Sequence, residues 1–235
     1  MCIRDRYPSP GRRSSFLDAA LQRIRELPGV EAAGTIDNLP LIQGSSQTLD
    51  LEGYPPQRNP AAVQVRQITP GYIRAMGIQV LRGRDILDSD AEVLLVSQEA
   101  AKLYWGTDDP IGRRATLPAL SKTVVRQVVG IVGDVKQRNL VEASTPTVYF
   151  HTREPYGQAT FVMRTSVPPA TLAPPAAAAI HAIDPEQPVA GIRTMVEVLD
   201  GELASRRFTA LLLGVFAGVA LVLAAVGIYL SLIHI

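Results

Sequence analysis

The sequence contains few cysteines and histidines, the residues that form disulfide-linked domains and metal centres. Cys2 is the only cysteine in 235 residues, which excludes a disulfide framework and a cysteine-based zinc site. The three histidines, His151, His181 and His234, are far apart and have no metal-binding spacing. We therefore predict no metal site and expect the histidines at surface or rim positions.

The chain also lacks an excess of charge of either sign. Lys and Arg total 23 against 22 for Asp and Glu, a net charge of +1, and the basic residues are spread along the chain. Proteins that bind nucleic acids carry clustered positive charge. The sequence thus predicts that nucleic acid is not a partner.

Motifs for nucleotide binding and for hydrolysis are missing. The segment Gly106–Arg114 (GTDDPIGRR) superficially resembles a phosphate loop, but its second glycine is one place too late and no Lys-Ser/Thr follows. There is no G-x-S-x-G elbow, and Asp134, which follows an apolar run, is typical of a turn. We predict no catalytic residue and no cofactor.

One acidic segment resembles a calcium loop in composition only. It contains Asp85, Asp88, Asp90 and Glu92, but not the glycine that an EF-hand loop needs for its sharp turn. We expect a solvated acidic turn. Because the sequence contains no metal-binding spacing, no phosphate loop and no G-x-S-x-G elbow, the chain is predicted not to be an enzyme.

A long apolar run is present near the end of the chain. Phe208 to Leu230 contains 23 residues without a charge, enough to cross a hydrocarbon core of about 30 Å as a helix. The alternative is a buried helix of a large soluble core, but the apolar residues occupy every side of this one. We predict a transmembrane helix over 206–230, in contact with the lipid bilayer. Gly214 and Gly218 form a GxxxG step that favours packing against other membrane helices.

The first helix is predicted from an apolar stripe that begins at Phe16. Ser15 and Asp18 have the spacing of a capping box, and Pro28-Gly29 ends the stripe. The buried positions are expected to be Phe16, Leu17, Ala20, Leu21, Ile24 and Leu27.

Two shorter helices are predicted from caps and glycine stops. One has Thr69 as its N-cap, Pro70 at its first position and Gly77 at its end. The other begins at Ser97 and stops at Gly106. The inward residues of the two helices are expected to be Tyr72, Ile73, Met76, Ala100, Leu103 and Tyr104.

Strand candidates outnumber helices and do not alternate with them strictly. This mixture predicts an α+β fold with a mixed sheet, in two lobes that divide near the Gly- and Pro-rich stretch 44–60. The strand candidates are Val30–Ile36, Thr48–Leu51, Val63–Ile68, Ile78–Leu81, Val93–Val96, Val124–Val132, Thr147–Phe150 and Thr160–Met163.

The segment before the apolar run is predicted to connect the domain to the membrane. A helix over 176–183 should begin only after Pro174 and Pro175, because interior prolines cost about 3 kcal/mol each. Thr194 and Glu197 form a second capping box, and the helix that begins there leads into the apolar run. Gly201 is its expected soft point.

Several motifs resemble one family. In this order they resemble the MacB-type periplasmic core domain of FtsX-like permeases, and the likeness extends from Phe16 to Tyr229. The motifs are TPGYIRAMGI from Thr69, LRGRD from Leu81, VSQEAAKLYW from Val96, DPIGRR from Asp109, VVGIVGDV from Val128, PTVYF from Pro146, DPEQPV from Asp184, RTM from Arg193, RRF from Arg206 and AVGIY from Ala225.

The resemblance implies a non-catalytic permease component in a bacterial inner membrane, with its main domain in the periplasm. It also implies a cytoplasmic ATPase on another chain, and other permease spans or a second permease half, as partners. Arg206 and Arg207 would by themselves place their end of the span in the cytoplasm. The family implies the opposite orientation. The transported substrate, whether lipoprotein, peptide or small amphiphile, is not readable from the sequence.

The predicted organisation has four parts. They are a foreign-looking or disordered start at 1–13, the core domain at 14–205, the transmembrane helix at 206–230 and a truncated or foreign end at 231–235. An extracytoplasmic sensor domain of a single-span receptor is the alternative function, and a tail-anchored enzyme is a third class. Further spans after Tyr229 would favour the permease.

Overall fold

The computed structural model describes residues 9–40, 42, 44–54, 61–118, 121–136, 144–151 and 159–233. The starting residues 1–8, the end residues 234–235 and His234 therefore lie outside the described residues. The chain divides into two compact units, Met1–Ala190 and Gly191–Ile235. The described residues of the first unit contain four helices, α1 Pro10–Arg25, α2 Tyr72–Met76, α3 Gln98–Trp105 and α4 Pro169–His181. The second contains α5, Met195–Ile233.

Ten strands are found among the described residues. They are β1 Val30–Ile36, β2 Ser45–Gln47, β3 Asp50–Leu51, β4 Val63–Gln67, β5 Val80–Gly83, β6 Val93–Ser97, β7 Arg114–Leu117, β8 Ser121–Val132, β9 Thr147–His151 and β10 Thr160–Thr165. The candidate Val30–Ile36 is found with the predicted bounds and the other seven candidates with shifted ends, whereas β2 and β7 are additional. The α+β fold is confirmed.

The strands form one large mixed sheet and one small antiparallel sheet. The large sheet has the order β2-β4-β9-β6-β8-β7-β3, with β5 beside β8, and β1 pairs with β10 in the small sheet. The β4–β9 and β6–β8 pairs are parallel and the others are antiparallel.

The large sheet curls until its two ends are close together. β2 and β3 are at opposite ends of the strand order, yet only Thr48 and Leu49 separate them in the chain. Three extended residue steps span at most about 11 Å, so the ends of the sheet cannot be farther apart than that. Residues 45–51 thus form one segment that pairs first with β4 and then with β7.

The hydrophobic core has three parts. The curled-sheet core includes α3 and consists of Leu49, Val63, Val65, Leu94, Val96, Ala100, Ala101, Tyr104, Trp105, Ala115, Leu117, Val128, Ile131, Val148 and Phe150. The middle cluster consists of Ile36, Ile68, Tyr72, Ile73, Ile86, Val93, Leu95, Val129, Val132 and Tyr149. The helix cluster consists of Phe16, Leu17, Ala20, Leu21, Ile24, Ala33 and Ile180.

The two lobes predicted with a division near 44–60 are not found. Residues 1–190 form one compact unit, and β2 and β3 belong to the same sheet. Part of the predicted division, 55–60, lies outside the described residues. The reason for the error is that a turn-rich stretch can bend a strand as well as separate two cores.

The start of α1 also differs from the sequence prediction. The helix begins at Pro10 after the extended Ser9, so proline occupies the first helical position. Ser15 lies inside the helix and donates its hydroxyl to the Gly11 carbonyl at 3.0 Å. The predicted capping box at Ser15 is therefore wrong, whereas burial of Phe16 and Ile24 is confirmed.

Helices α2, α3 and α4 contain further corrections. Thr69 is not the N-cap of α2, because Gly71 holds that position. Leu103 of α3 is 43% exposed, since the buried residues Ala100, Ala101, Tyr104 and Trp105 define a face centred roughly 130° away. Helix α4 begins at Pro169 and includes Pro174 and Pro175. Its buried stripe, Leu172, Ala176 and Ile180, offsets the hydrogen bonds that the prolines lack.

Candidate functional site

The segment that follows β4 is held along the edge of β1. Thr69 donates its N–H to the Thr35 carbonyl at 3.0 Å, and its hydroxyl oxygen accepts the Thr35 N–H at 2.7 Å. This reciprocal pair replaces a strand on that side of β1. Thr69 therefore binds β1 at the junction between β1 and the segment after β4, and it does not cap α2.

Two glycines permit this close approach. A Cβ atom on Gly34 would lie 2.3 Å from the main-chain nitrogen of Tyr72. Gly71 has a φ of 88°, and a Cβ there would lie 2.5 Å from the Ala33 carbonyl oxygen. The T-P-G-Y motif thus has a packing role, because its backbone is in contact with the backbone of β1.

Two arginines fasten the same junction. Arg25 donates from Nε to the Ala33 carbonyl at 3.1 Å and from Nη2 to the Pro70 carbonyl. Its Nη1 lies 3.6 Å from an Asp88 carboxylate oxygen. Arg164 of β10 donates from Nε to the Ala75 carbonyl in α2 at 3.2 Å. Sequence reasoning missed both arginines, since nothing in their local pattern marks the distant carbonyls that they bind.

A small cleft lies beside this junction. Its volume is about 30 Å³, and its lining includes Thr35, Asp37, Gln67, Thr69 and His151. His151 Nδ1 is 3.1 Å from the Ile68 carbonyl, which can only accept, so this nitrogen is the donor. A cleft of this size has room for one or two water molecules, whereas small-molecule sites measure roughly 300–1,000 Å³.

Asp37 is one of two acidic residues that line this cleft, together with Asp18. Burial raises the pKa of Asp37, and the N–H of Asn38 and the charge of Arg66 act in the opposite direction. Arg66 is fully buried and donates from Nη2 to the Ile42 carbonyl at 3.1 Å. Arg66 thus bonds to the backbone at Ile42, and its positive charge acts on Asp37.

The acidic segment predicted as a solvated turn is engaged by protein donors. Asp90 accepts from both terminal nitrogens of Arg84 at 2.6 and 2.9 Å, and Arg84 lowers the pKa of Asp90. Asp85 accepts the Ile86 N–H at 2.7 Å. Glu92 lies 2.8 Å from Arg126. Asp88 is 81% exposed and lies 3.6 Å from Arg25.

The GTDDPIGRR segment is likewise a set of turns. Asp109 lies 2.6 Å from Arg82 and accepts the Ile111 N–H at 3.1 Å, and this backbone bond lowers the pKa of Asp109. Asp108 accepts the Tyr54 hydroxyl at 2.8 Å. Across the described ranges, no group of three His, Cys, Asp or Glu side chains could hold a metal ion.

Helix α3 has two capping groups at its N-terminus. The Ser97 hydroxyl oxygen accepts the Ala100 N–H at 3.3 Å and also the Thr147 N–H at 3.1 Å. Asp134 accepts the Glu99 N–H at 3.0 Å. The predicted Ser97 cap is confirmed. Asp134 is found at a helix N-terminus, where its negative charge is stabilised.

The predicted coupling residues lie in the second compact unit. The Thr194 hydroxyl oxygen accepts the Glu197 N–H at 3.2 Å, and the Glu197 carboxylate accepts the Thr194 N–H at 2.7 Å. This is a complete capping box at the start of α5. Gly201 is exposed, and a Cβ on Gly214 or Gly218 would meet no atom within 4 Å.

Helix α5 continues from Met195 to Ile233, through the apolar run. Its side chains are described at 195–201, 211–221 and 223–225, and the large apolar ones at 211–221 are all exposed. Within the described part of the chain, none of the helices combines the length and the apolar character that crossing a membrane requires. The span predicted over 206–230 stays a prediction.

The fold and its polar network define an α+β domain in which arginines and carboxylates secure chain junctions. The chain belongs to the family of the MacB-like periplasmic core domain, whose model matches residues 3–196. Members of this family are periplasmic domains of ABC-transporter permeases, a class that is generally non-enzymatic and typical of the inner membrane. The predicted family is confirmed.

Two solved structures are among those to which the chain is similar. The periplasmic region of MacB from Actinobacillus actinomycetemcomitans gives a TM-score of 0.51 at 11% identity and covers 71% of this chain and 73% of that one. The extracellular domain of the ABC-type transporter YknZ from Gram-positive bacteria gives 0.48 at 14% identity and covers 72% and 83%. At 11% identity the first comparison shows a shared fold alone. No curated protein sequence matches the chain.

Proposed function

We propose that this chain is the extracytoplasmic part of a transporter permease and that α5 transmits motion between the domain and the membrane. The observation that carries the proposal is the continuity of α5 across the predicted boundary at 205/206. The helix begins at a complete capping box and extends over 39 residues into the apolar run. A continuous helix transmits displacement, whereas a flexible linker absorbs it.

The length of α5 supports a helix that has one part in the membrane and one part outside it. Its 39 residues measure about 58 Å, roughly twice the thickness of a hydrocarbon core. Residues 206–230 would span the bilayer. Residues 195–205, the last part of the range 14–205 predicted as the core domain, would form a stalk that leads to the span. The parts at 1–13 and 231–235 have no assigned role.

The partners follow from family membership and from the apolar run. A cytoplasmic ATPase on another chain would supply energy, and other permease spans or a second permease half would pack against α5. Gly214 and Gly218 support the latter, because a GxxxG step lets helix backbones approach closely. In this proposal the main domain lies in the periplasm of an inner-membrane protein.

The first test concerns location. In spheroplasts that express the chain, added protease should cut the domain, because the proposal places it outside the cytoplasmic membrane. Full protection of the domain, with cleavage only after the inner membrane is lysed, would contradict the proposal. A cytoplasmic marker protein, which should survive intact until lysis, is the control.

The second test concerns the stalk. A Gly-Ser stretch of about seven residues inserted after Ala204 should uncouple transport from ATP hydrolysis in the full transporter, since the inserted segment is flexible. The matched control is an alanine insertion of the same length, which adds about two helical turns and keeps the helix continuous. Equal transport by the two variants would show that the connection is only a tether.

A further inference from the structure

The outer edge of β10 has backbone groups that are not paired by any of the described residues. Thr35 of β1 bonds to Thr69, and Ala33 of β1 accepts from Arg25, so the main-chain groups of these two residues point away from β10. Thr35 is opposite Phe161, and Ala33 is opposite Met163. In an antiparallel pair these are non-hydrogen-bonded positions, so the N–H and C=O groups of Phe161 and Met163 point outward.

No hydrogen bond to those outward groups is found within the described residues. The strand also lacks the usual protection of a free edge, since 160–165 contains no proline, no lysine and one charged residue, Arg164. Arg164 donates its Nε to the Ala75 carbonyl of α2. Phe161 and Met163 pack against the helix cluster and remain partly exposed. Backbone donors and acceptors are thus available beside a partly open apolar surface.

We propose that the β10 edge pairs antiparallel with the β10 edge of a second copy of this chain, about a two-fold axis at Val162. This register places Phe161 opposite the second copy's Met163, so the outward N–H and C=O groups satisfy one another. Arg164 faces the second copy's Thr160, which avoids two like charges at directly opposite positions. The edge is therefore complementary to itself in both hydrogen bonding and charge. The small sheet becomes four-stranded, which is more stable than an isolated two-stranded ribbon.

The register predicts a specific cross-link. Val162 faces its own copy at a non-hydrogen-bonded position, where Cα atoms are about 4.5 Å apart, within the range of a disulfide. In the full chain in detergent, with Cys2→Ser, the variant Val162→Cys should form an intermolecular disulfide on oxidation. Val125→Cys, at a site that is 44% exposed on β8, is the control for random collision.

A pair of substitutions separates edge pairing from other contacts. Met163→Pro removes the outward N–H, and Met163→Ala removes the same side chain but keeps that N–H. Circular dichroism would first establish that both variants fold. We expect Met163→Pro to reduce the Val162→Cys cross-link by about tenfold relative to Met163→Ala, because each dimer loses two backbone hydrogen bonds.

Three outcomes would overturn the proposal. The first is equal cross-linking in the proline and alanine variants. The second is equal cross-linking at Val125 and Val162. The third is absence of the Val162→Cys disulfide from both the proline and the alanine variant. Hydrogen exchange gives a second measurement on the unmodified chain. The amides of Phe161 and Met163 should become protected as protein concentration rises, whereas the Val162 amide, bonded to β1, should be protected at every concentration. Concentration-independent exchange at Phe161 and Met163 would also overturn the proposal.

Discussion

Arg25 joins three parts of the chain that are distant in sequence. Its guanidinium group donates to carbonyls of Ala33 in β1 and Pro70 in the T-P-G-Y motif, and it lies near Asp88 in the acidic segment. The side chain of Arg25 is only 33% exposed, so loss of the guanidinium would leave carbonyls without their donors.

Arg25→Ala should therefore lower the free energy of unfolding by about 1–3 kcal/mol, the range expected when hydrogen bonds to a charged group are lost. Urea denaturation measures the change. Arg23→Ala is the matched control, because Arg23 is an exposed arginine of the same helix. Equal effects of the two substitutions would show that Arg25 does not fasten the junction.

Asp37 gives the protein a defined pH dependence. Burial raises the pKa of Asp37 in the folded state, against the opposing effects of the Asn38 N–H and Arg66. A raised pKa means that the folded state binds the proton more tightly than the unfolded state. The stabilisation is therefore present below the unfolded pKa and is lost as pH rises through the folded pKa.

The prediction compares wild type with Asp37→Asn. As pH falls from about 7 to about 3, the free energy of unfolding of wild type should increase relative to that of the variant. Urea denaturation at several pH values measures this difference. A difference that stays constant or decreases on acidification would contradict the expected direction.

At the scale of single elements, the ends of α3 were predicted from the sequence because the signals at its boundaries are local. Ser97 caps the helix and Gly106 follows its last residue, as predicted. The sequence did not reveal that the Ser97 hydroxyl also accepts the N–H of Thr147, 50 residues away. That second bond depends on the pairing of β6 with β9.

Ser97→Ala should consequently destabilise the protein more than an ordinary cap substitution. Loss of the cap costs about 1 kcal/mol, and a buried unsatisfied N–H at Thr147 adds about 1–3 kcal/mol. Thermal or urea unfolding measures the effect. Ser89→Ala, at an exposed turn position, should change stability by no more than about 0.5 kcal/mol. A cost for Ser97→Ala that matches the cap alone would argue against the second role.

For the whole molecule, closure of the large sheet is the main architectural feature. Leu49 lies between β2 and β3, is 3% exposed and packs in the curled-sheet core. Its N–H donates to the Tyr104 hydroxyl at 3.0 Å, and that hydroxyl donates to the Ala61 carbonyl at 2.7 Å. Helix α3 thereby holds the segment that joins the two ends of the sheet.

Leu49→Ala should lower the free energy of unfolding by about 2–5 kcal/mol, the range for truncating a buried leucine. The control is Leu103→Ala on the exposed side of α3, which is expected to cost no more than about 0.5 kcal/mol. If Leu49→Ala is as mild as Leu103→Ala in urea denaturation, closure does not depend on this residue.

The sequence by itself determined the family, the α+β class and most elements, because caps, glycine stops and β-rich runs act over a few residues. It also indicated the capping box at Thr194, whose partners are three residues apart. Only the tertiary structure decided the roles of Arg25, Gly34 and Thr69, since their partners come from elsewhere in the chain. Closure of the sheet depends on strand order, and no local pattern encodes which strands become neighbours.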